Sequence, residues 1–241
     1  MYAPAPIKAL KQKAHIAGLL YLAIILCGIY SEAFVRSLLI VDNNASATAA
    51  NIMQSEFLFR LGMASDLIMV VSDVGVALLF YVLLREVNKD LALLAAFFRL
   101  AQASLIGMNL LNYFIPILLL NNYVYLSPFS EEQIHSLMML FLQAHTYGYL
   151  ISGIFFGFSC LILSHLLYYS PYFPKVLAWL VGAASVTYLV NSFSYFLWPG
   201  LAHFTDVMVF VIAVLAEFSL CLWLLIKGIR QPKTNNMQYK V

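Results

Sequence analysis

Four ionisable side chains stand inside long apolar stretches, and they are the residues of this sequence best placed to do chemistry. Asp66, Asp73, Arg99 and Glu217 all have mostly apolar neighbours along the chain. An ionised group at the centre of a lipid bilayer costs about 2.5 to 3.5 kcal/mol on insertion scales, so each of them needs a partner or a purpose. A functional role and a purely architectural ion pair are both open for Asp73, Arg99 and Glu217.

The spacing of these residues predicts that two of the charges form a pair. Asp66 and Asp73 are seven residues apart, so they share one face of a helix, and Arg99, Gln102 and Asn109 share a broad face of the next. At a rise of about 1.5 Å per residue, Asp73 lies about 16 Å and Arg99 about 12 Å from the ends of two helices joined by a short connection. We therefore expect the two helices to be antiparallel neighbours, with Arg99 neutralising Asp73.

A second group of polar residues is predicted nearer the opposite membrane surface. Asp66, Asn109, His145 and Asn191 lie on four different apolar stretches at similar depth. Side chains at one depth on neighbouring helices can surround a common space, so we expect an outward-facing polar cavity that binds a ligand. Polar contacts between membrane helices average only about 0.6 kcal/mol, so simple helix packing is the alternative role for Asn109.

Glu32 and Arg36 are four residues apart near the end of the first apolar stretch. Oppositely charged residues at this spacing meet on one helix face. We expect them to form a structural ion pair at the membrane interface.

The sequence offers little for a metal or a cofactor, and we predict neither. A haem between two histidines needs ligands at similar depth on facing helices, whereas His145 and His165 lie near opposite ends of one stretch. The sequence has no H-E-x-x-H, G-x-S-x-G or P-loop motif. The sequence thus leans away from an enzyme, although Asp66, His145 and Arg99 on separate helices could still assemble into an active site.

The elements that must position these side chains are transmembrane helices. Hydrophobic residues make up 63% of the 241 residues and charged ones 10%, a surplus that a soluble core does not hide. The apolar stretches are long enough for helices to cross a bilayer and lack the alternation of a membrane barrel. We predict an all-α polytopic membrane protein, a single domain of six transmembrane helices, over residues 15–38, 59–84, 91–120, 136–168, 175–197 and 207–229.

The distribution of basic residues predicts the orientation of the chain. Ten of the thirteen Lys and Arg residues fall at the termini and in the second and fourth connections, on one side of a six-span chain. The positive-inside rule makes that side cytoplasmic, so we expect both termini in the cytoplasm. The ten residues are Lys8, Lys11, Lys13, Arg85, Lys89, Lys175, Lys227, Arg230, Lys233 and Lys240. The net charge of +2 argues against a nucleic-acid partner.

The first connection contains a further helical pattern. Ser46 is a plausible N-cap, and Ile52, Met53, Phe57 and Leu58 follow it. We expect a helix that lies on the membrane before the chain enters it, either as a lid or as a simple connector.

Four segments of the chain have a recognisable pattern: IAGLLYL from Ile16, ATAANIMQSEFLFRLGMASDL from Ala47, YVLLREVNKDLALLAAFFRL from Tyr81 and EFSLCLWLLIKGI from Glu217. These segments resemble a known family of bacterial membrane proteins, domain of unknown function 4386 (DUF4386). The resemblance covers nearly the whole chain. It implies a protein of the bacterial cytoplasmic membrane and brings no activity, cofactor or catalytic residue.

Three functions are compatible with these residues. The leading hypothesis is binding or transport of a small polar or amphipathic solute, with Asp73 and Glu217 as proton- or cation-linked groups and Arg99 as counter-charge. The alternative is an intramembrane lipid-modifying enzyme that uses His145 and Asp66 as acid and base. The third is a structural or accessory subunit. Membrane lipids are expected partners in each case, and six spans leave a homo-oligomer open.

Overall fold

The computed structural model describes residues 7–121 and 123–230, with the backbone alone at residue 125. Six of its helices are long and apolar enough to cross a membrane. They are α1 (Ile7–Leu39), α3 (Glu56–Leu84), α4 (Lys89–Leu120), α5 (Glu131–Tyr169), α6 (Lys175–Leu197) and α7 (Ala202–Ile226), and the shorter α2 (Ala45–Gln54) connects α1 to α3. The prediction of an all-α protein with six membrane helices is therefore confirmed.

The helices begin and end close to the predicted positions, and the differences have local causes. The first span starts at Ile7 rather than near residue 15, because its basic first turns stay helical. The last starts at Ala202 rather than near 207, directly after a single 3₁₀ turn over Pro199–Leu201. It ends at Ile226 rather than near 229, and Gly228 then adopts the left-handed conformation with φ of +67°.

The six spans pack in chain order, and the first closes against the last. The six spans therefore form a closed ring, and each span has one face toward the interior of the ring. The closing contact between α1 and α7 is tight, because a Cβ atom at Gly18 would lie 2.9 Å from the backbone nitrogen of Leu225. On the same interface, His15 Nδ1 lies 3.0 Å from the carbonyl oxygen of Leu225.

Apolar residues cover the outside of this ring and fill its ends. Large side chains such as Leu19, Val71 and Phe210 are 60 to 71% exposed, as lipid-facing residues are. Inside, a cluster around Phe80 and Leu224 packs at one end of the ring. A second cluster around Phe59, Tyr113 and Met138 packs at the other end. On α3, Asp66 and Asp73 lie between Phe59 of the second cluster and Phe80 of the first.

The helix predicted in the first connection exists, but its start was placed wrongly. The N-cap is Asn44, whose side-chain oxygen accepts a hydrogen bond from the amide of Ala47 at 3.0 Å, and not Ser46. The helix ends at Gln54, so Ile52 and Met53 belong to it whereas Phe57 and Leu58 belong to α3.

The C-terminal part of α1 departs from α-helical geometry. Residues Tyr30–Arg36 form a π-helix, in which the amide of Ser37 donates to the carbonyl of Glu32 five residues earlier. Segments of this kind are rare and are frequent at functional sites. Arg36, the last residue of the segment, points into the bundle and is 9% exposed.

The N-in, C-in orientation stays a prediction, and site-specific labelling will test it. The labels must go on introduced cysteines, because Cys160 and Cys221 are buried within spans and Cys27 lies within α1. We expect Glu132→Cys to react with a membrane-impermeant maleimide in intact cells and Asn88→Cys to react only after permeabilisation. The reverse labelling pattern would contradict the orientation predicted from the basic residues. Two of those ten basic residues, Lys233 and Lys240, lie outside the described residues.

Candidate functional site

A set of polar and aromatic side chains in the middle of the ring draws on all six spans. We call it the inner cluster, and its members are Tyr21 of α1, Asp73 of α3, Arg99 and Gln102 of α4, Phe156 of α5, Tyr188 of α6 and Glu217 of α7.

The Asp73–Arg99 ion pair is the centre of the inner cluster. Arg99 Nε donates to Asp73 Oδ1 at 2.8 Å, and Gln102 Nε2 donates to Asp73 Oδ2 at 3.2 Å. Asp73 is 3% exposed and Arg99 2% exposed. The pair predicted from depth is therefore present and buried, and it joins α3 to α4.

Aromatic rings extend the inner cluster from Arg99 to the other spans. The guanidinium carbon of Arg99 lies 5.3 Å from the ring centre of Tyr21 and 5.1 Å from that of Phe156, within reach of cation–π attraction. Phe156 packs edge-on against Tyr188, with ring centres 5.0 Å apart. The hydroxyl of Tyr188 donates to Glu217 Oε1 at 2.5 Å.

The formal charges of the inner cluster do not balance when both acids are ionised. Asp73 and Glu217 then carry two negative charges, and Arg99 carries one positive charge, which leaves one negative charge inside the membrane. A proton or a monovalent cation would neutralise it. Glu217 is well suited to such an exchange, because the hydrogen bond that its carboxylate accepts comes from a neutral tyrosine.

A second group, the outer cluster, lies further along the same face of α3. It consists of Arg36 of α1, Asp66 of α3, Asn109 and Tyr113 of α4, and His145 and Tyr149 of α5.

Arg36 and Asp66 form the ion pair of the outer cluster. Arg36 Nη1 lies 2.7 Å from Asp66 Oδ2 and 2.8 Å from the hydroxyl of Ser31. Its Nε donates to Glu32 Oε2 at 2.7 Å, so the predicted Glu32–Arg36 pair is also present. The sequence missed the buried partner: Asp66 is 0% exposed, whereas the side chain of Glu32 is 69% exposed.

Asn109 and His145 join α4 to α5 within the outer cluster. Asn109 Nδ2 donates to the carbonyl oxygen of His145 at 2.7 Å. Gly148 faces Asn109 so closely that any Cβ there would overlap the amide group. The His145 ring packs between Tyr113 and Tyr149, with ring centres 5.3 and 5.8 Å away.

Met69 lies between Asp66 of the outer cluster and Asp73 of the inner cluster along α3. Met69 is 5% exposed, and the hydroxyl of Tyr149 lies 3.5 Å from its sulfur. The Tyr149 ring also faces Arg36, with the guanidinium carbon 6.0 Å from the ring centre. Met69 and Tyr149 thus contact each other at the side of the outer cluster that is nearer to Asp73.

Some polar atoms in both clusters have no hydrogen-bond partner among the described residues. They include Asp66 Oδ1, Arg99 Nη1, Gln102 Oε1 and His145 Nε2. Buried polar atoms in folded proteins almost always have a partner. Asp66 Oδ1 and Gln102 Oε1 can each accept a further hydrogen bond, Arg99 Nη1 can donate one, and His145 Nε2 can do either, depending on its tautomer.

Asn191 does not join the outer cluster as the sequence predicted. Its Nδ2 donates to Asp206 Oδ1 at 2.8 Å and to Thr205 Oγ1 at 3.1 Å, at the junction of α6 and α7. Equal depth therefore did not imply a common space, because α6 meets α7 there.

The open polar cavity is absent from this conformation of the described residues. Asp66, Asn109, His145 and Asn191 are 0 to 7% exposed. The first three are buried within the outer cluster, and Asn191 is buried against Thr205 and Asp206. A recess of about 430 Å³ does exist at the outer end, but other residues line it.

Sequence reasoning missed the aromatic partners of the two arginines. Tyr21, Tyr113 and Phe156 look like ordinary residues of apolar helices, and only the packing brings them to Arg36 and Arg99. Among the described residues, no three His, Cys, Asp or Glu side chains come together in a way that could hold a metal ion.

Comparison with known proteins places the chain in a family. The family model described as "Domain of unknown function (DUF4386)" matches residues 16–228. An "Uncharacterized protein" of Archaeoglobus fulgidus is 30% identical over 161 residues, which cover 67% of this chain and 80% of that protein. No solved structure matches. The chain belongs to the DUF4386 family of membrane proteins.

Proposed function

We propose that the protein binds a small polar or amphipathic solute and moves it across the cytoplasmic membrane, linked to a proton or a monovalent cation. In this proposal Asp73 and Glu217 exchange the proton or cation, and Arg99 is their counter-charge. Both termini face the cytoplasm. The buried state of both clusters corresponds to an occluded conformation, and the helices must part for a solute to enter.

The inner cluster is the observation that carries this proposal. It takes a side chain from every span and holds two carboxylates around one arginine. Neutralising one carboxylate changes the forces on Arg99, which contacts α1, α3 and α5 at once. A change of charge in the cluster therefore biases the packing of the whole ring, which is what coupled movement of a solute requires.

We expect solute movement to depend on Glu217. Purified protein is reconstituted into liposomes that contain the pH-sensitive dye pyranine, and amino acids, alkyl amines, sugars and short carboxylic acids are added in turn, with and without a sodium gradient. At least one solute should evoke a change of internal pH or sodium-driven uptake. Glu217→Gln, which mimics the neutral acid, should abolish the coupled signal.

Glu56→Gln is the matched control, because Glu56 pairs with Arg60 on the exposed surface. This variant should behave like the wild type. The proposal would be contradicted if Glu217→Gln gave the same coupled signal as the wild type. It would also be contradicted if no solute gave a signal with wild-type protein that is shown to be folded by its cooperative unfolding.

An intramembrane lipid-modifying enzyme is the second candidate, and one observation favours it. His145 Nε2 and Asp66 Oδ1 are both buried in the outer cluster without a hydrogen-bond partner among the described residues, as an acid and a base awaiting substrate would be. Mass spectrometry of labelled phospholipids in the same liposomes separates the two functions. Turnover that His145→Gln and Asp66→Asn abolish would select the enzyme, and the absence of both transport and turnover would select a structural subunit.

A further inference from the structure

A recess of about 430 Å³ opens where α2, the end of α4 and the start of α5 meet. Pockets for small molecules typically measure roughly 300 to 1,000 Å³, so this volume suits one compact ligand. The recess is distinct from the inner and outer clusters. The residues that matter for its chemistry are Met53, Leu120, Ile134, Tyr123, Phe129 and Glu131.

The charges at the recess favour a positively charged ligand. The Glu131 carboxylate is 85% exposed, and no Lys or Arg among the described residues lines the recess. His135 also lines it and is already engaged, with Nε2 3.9 Å from Glu131 Oε1 and Nδ1 3.4 Å from the hydroxyl of Ser46. The start of α5 does not offer an anion site, because Ser130 and Gln133 cap it reciprocally.

Aromatic rings at the recess add a preference for ammonium groups. Tyr123 and Phe129 both line the recess and are 43 and 45% exposed. Aromatic faces attract ammonium ions, including quaternary ones, and a nearby carboxylate strengthens this attraction. Met53, Leu120 and Ile134 provide an apolar wall for a hydrocarbon chain.

We propose that this recess binds a single-chain amphiphile with an ammonium head. The head lies against Glu131, Tyr123 and Phe129, and the chain lies against Met53, Leu120 and Ile134. A volume of this size holds one chain and not the two of a bilayer phospholipid. The proposal is independent of solute movement through the ring, because none of its residues belongs to either cluster.

Thermal unfolding in nanodiscs tests the proposal with decyltrimethylammonium as the probe. We expect the probe to raise the melting temperature in a saturable way, because a ligand that binds the folded state stabilises it. Decyl sulfate and tetramethylammonium should give no saturable shift, because the first has the wrong charge and the second has no chain. The proposed preference for an ammonium head without a phosphate would be overturned if decyl sulfate, or lysophosphatidylcholine with its zwitterionic head group, raised the melting temperature as much as the probe does.

Two variants tie the shift to the recess. Glu131→Gln should weaken binding of the probe about fivefold, the effect of one exposed ion pair. Glu132→Gln, one residue along the same helical turn and not in the lining, is the matched control and should bind like the wild type. Met53→Trp should fill the recess from its exposed rim and prevent binding. Wild-type affinity in both Glu131→Gln and Met53→Trp would overturn the proposal.

Discussion

Arg99→Ala is expected to lower the free energy of unfolding by about 3 to 5 kcal/mol, the cost of leaving one member of a buried ion pair alone. Asp73 is 3% exposed, so it would keep only the hydrogen bond from Gln102. The double variant Asp73→Ala with Arg99→Ala should be more stable than Arg99→Ala alone, because no unpaired charge remains. Thermal unfolding in detergent, followed by size-exclusion chromatography, gives the comparison.

The Arg60–Glu56 pair serves as the control for this cycle. Both of its side chains are more than 40% exposed, so their coupling should be at most about 1 kcal/mol. If the losses of Asp73→Ala and Arg99→Ala simply add in the double variant, the two residues do not stabilise each other. Variants that fold normally and lose only transport would instead assign the pair to function.

Arg36→Gln is expected to have an effect of similar size, about 3 to 5 kcal/mol, because it strands Asp66 at 0% exposure. Glu32→Gln should cost at most about 1 kcal/mol, since Glu32 is 69% exposed. Asp66→Asn should fall between the two, because Arg36 would keep its contact with Glu32. The same unfolding measurement on the three variants ranks them.

The ranking tests which acid is the partner of Arg36. A loss in Glu32→Gln that equals the loss in Arg36→Gln would make the exposed pair the stabilising one. It would also remove the reason to treat the outer cluster as a unit that joins α1 to α3.

The sequence was most informative about the spans and about charges on one helix or on two helices joined by a short connection. Apolar length predicted the six spans, and the seven-residue spacing placed Asp66 and Asp73 on one buried face. The Asp73–Arg99 pair was also predictable, because α3 and α4 are joined by a short connection that makes them neighbours. These inferences need only helix geometry and the cost of charge in lipid.

The sequence failed where the outcome depends on which helices meet. Asn191 and Asn109 have similar depths, but α6 packs against α5 and α7 and thereby turns Asn191 toward Asp206. The contact of Arg99 with Tyr21 likewise depends on where α1 lies in the ring. Depth along the membrane can be counted from sequence, whereas the order of helices around a ring cannot.

The π-helix in α1 has a consequence for how members of the family align. A π-turn stores one residue more than the α-helix that it interrupts, without altering the direction of the flanking turns. A relative with one residue fewer between Tyr21 and Arg36 would form a continuous α-helix there and keep both residues facing the interior. A one-residue gap in a sequence alignment of this stretch thus marks the replacement of the π-helix by an α-helix. The arginine that follows the gap still corresponds to Arg36.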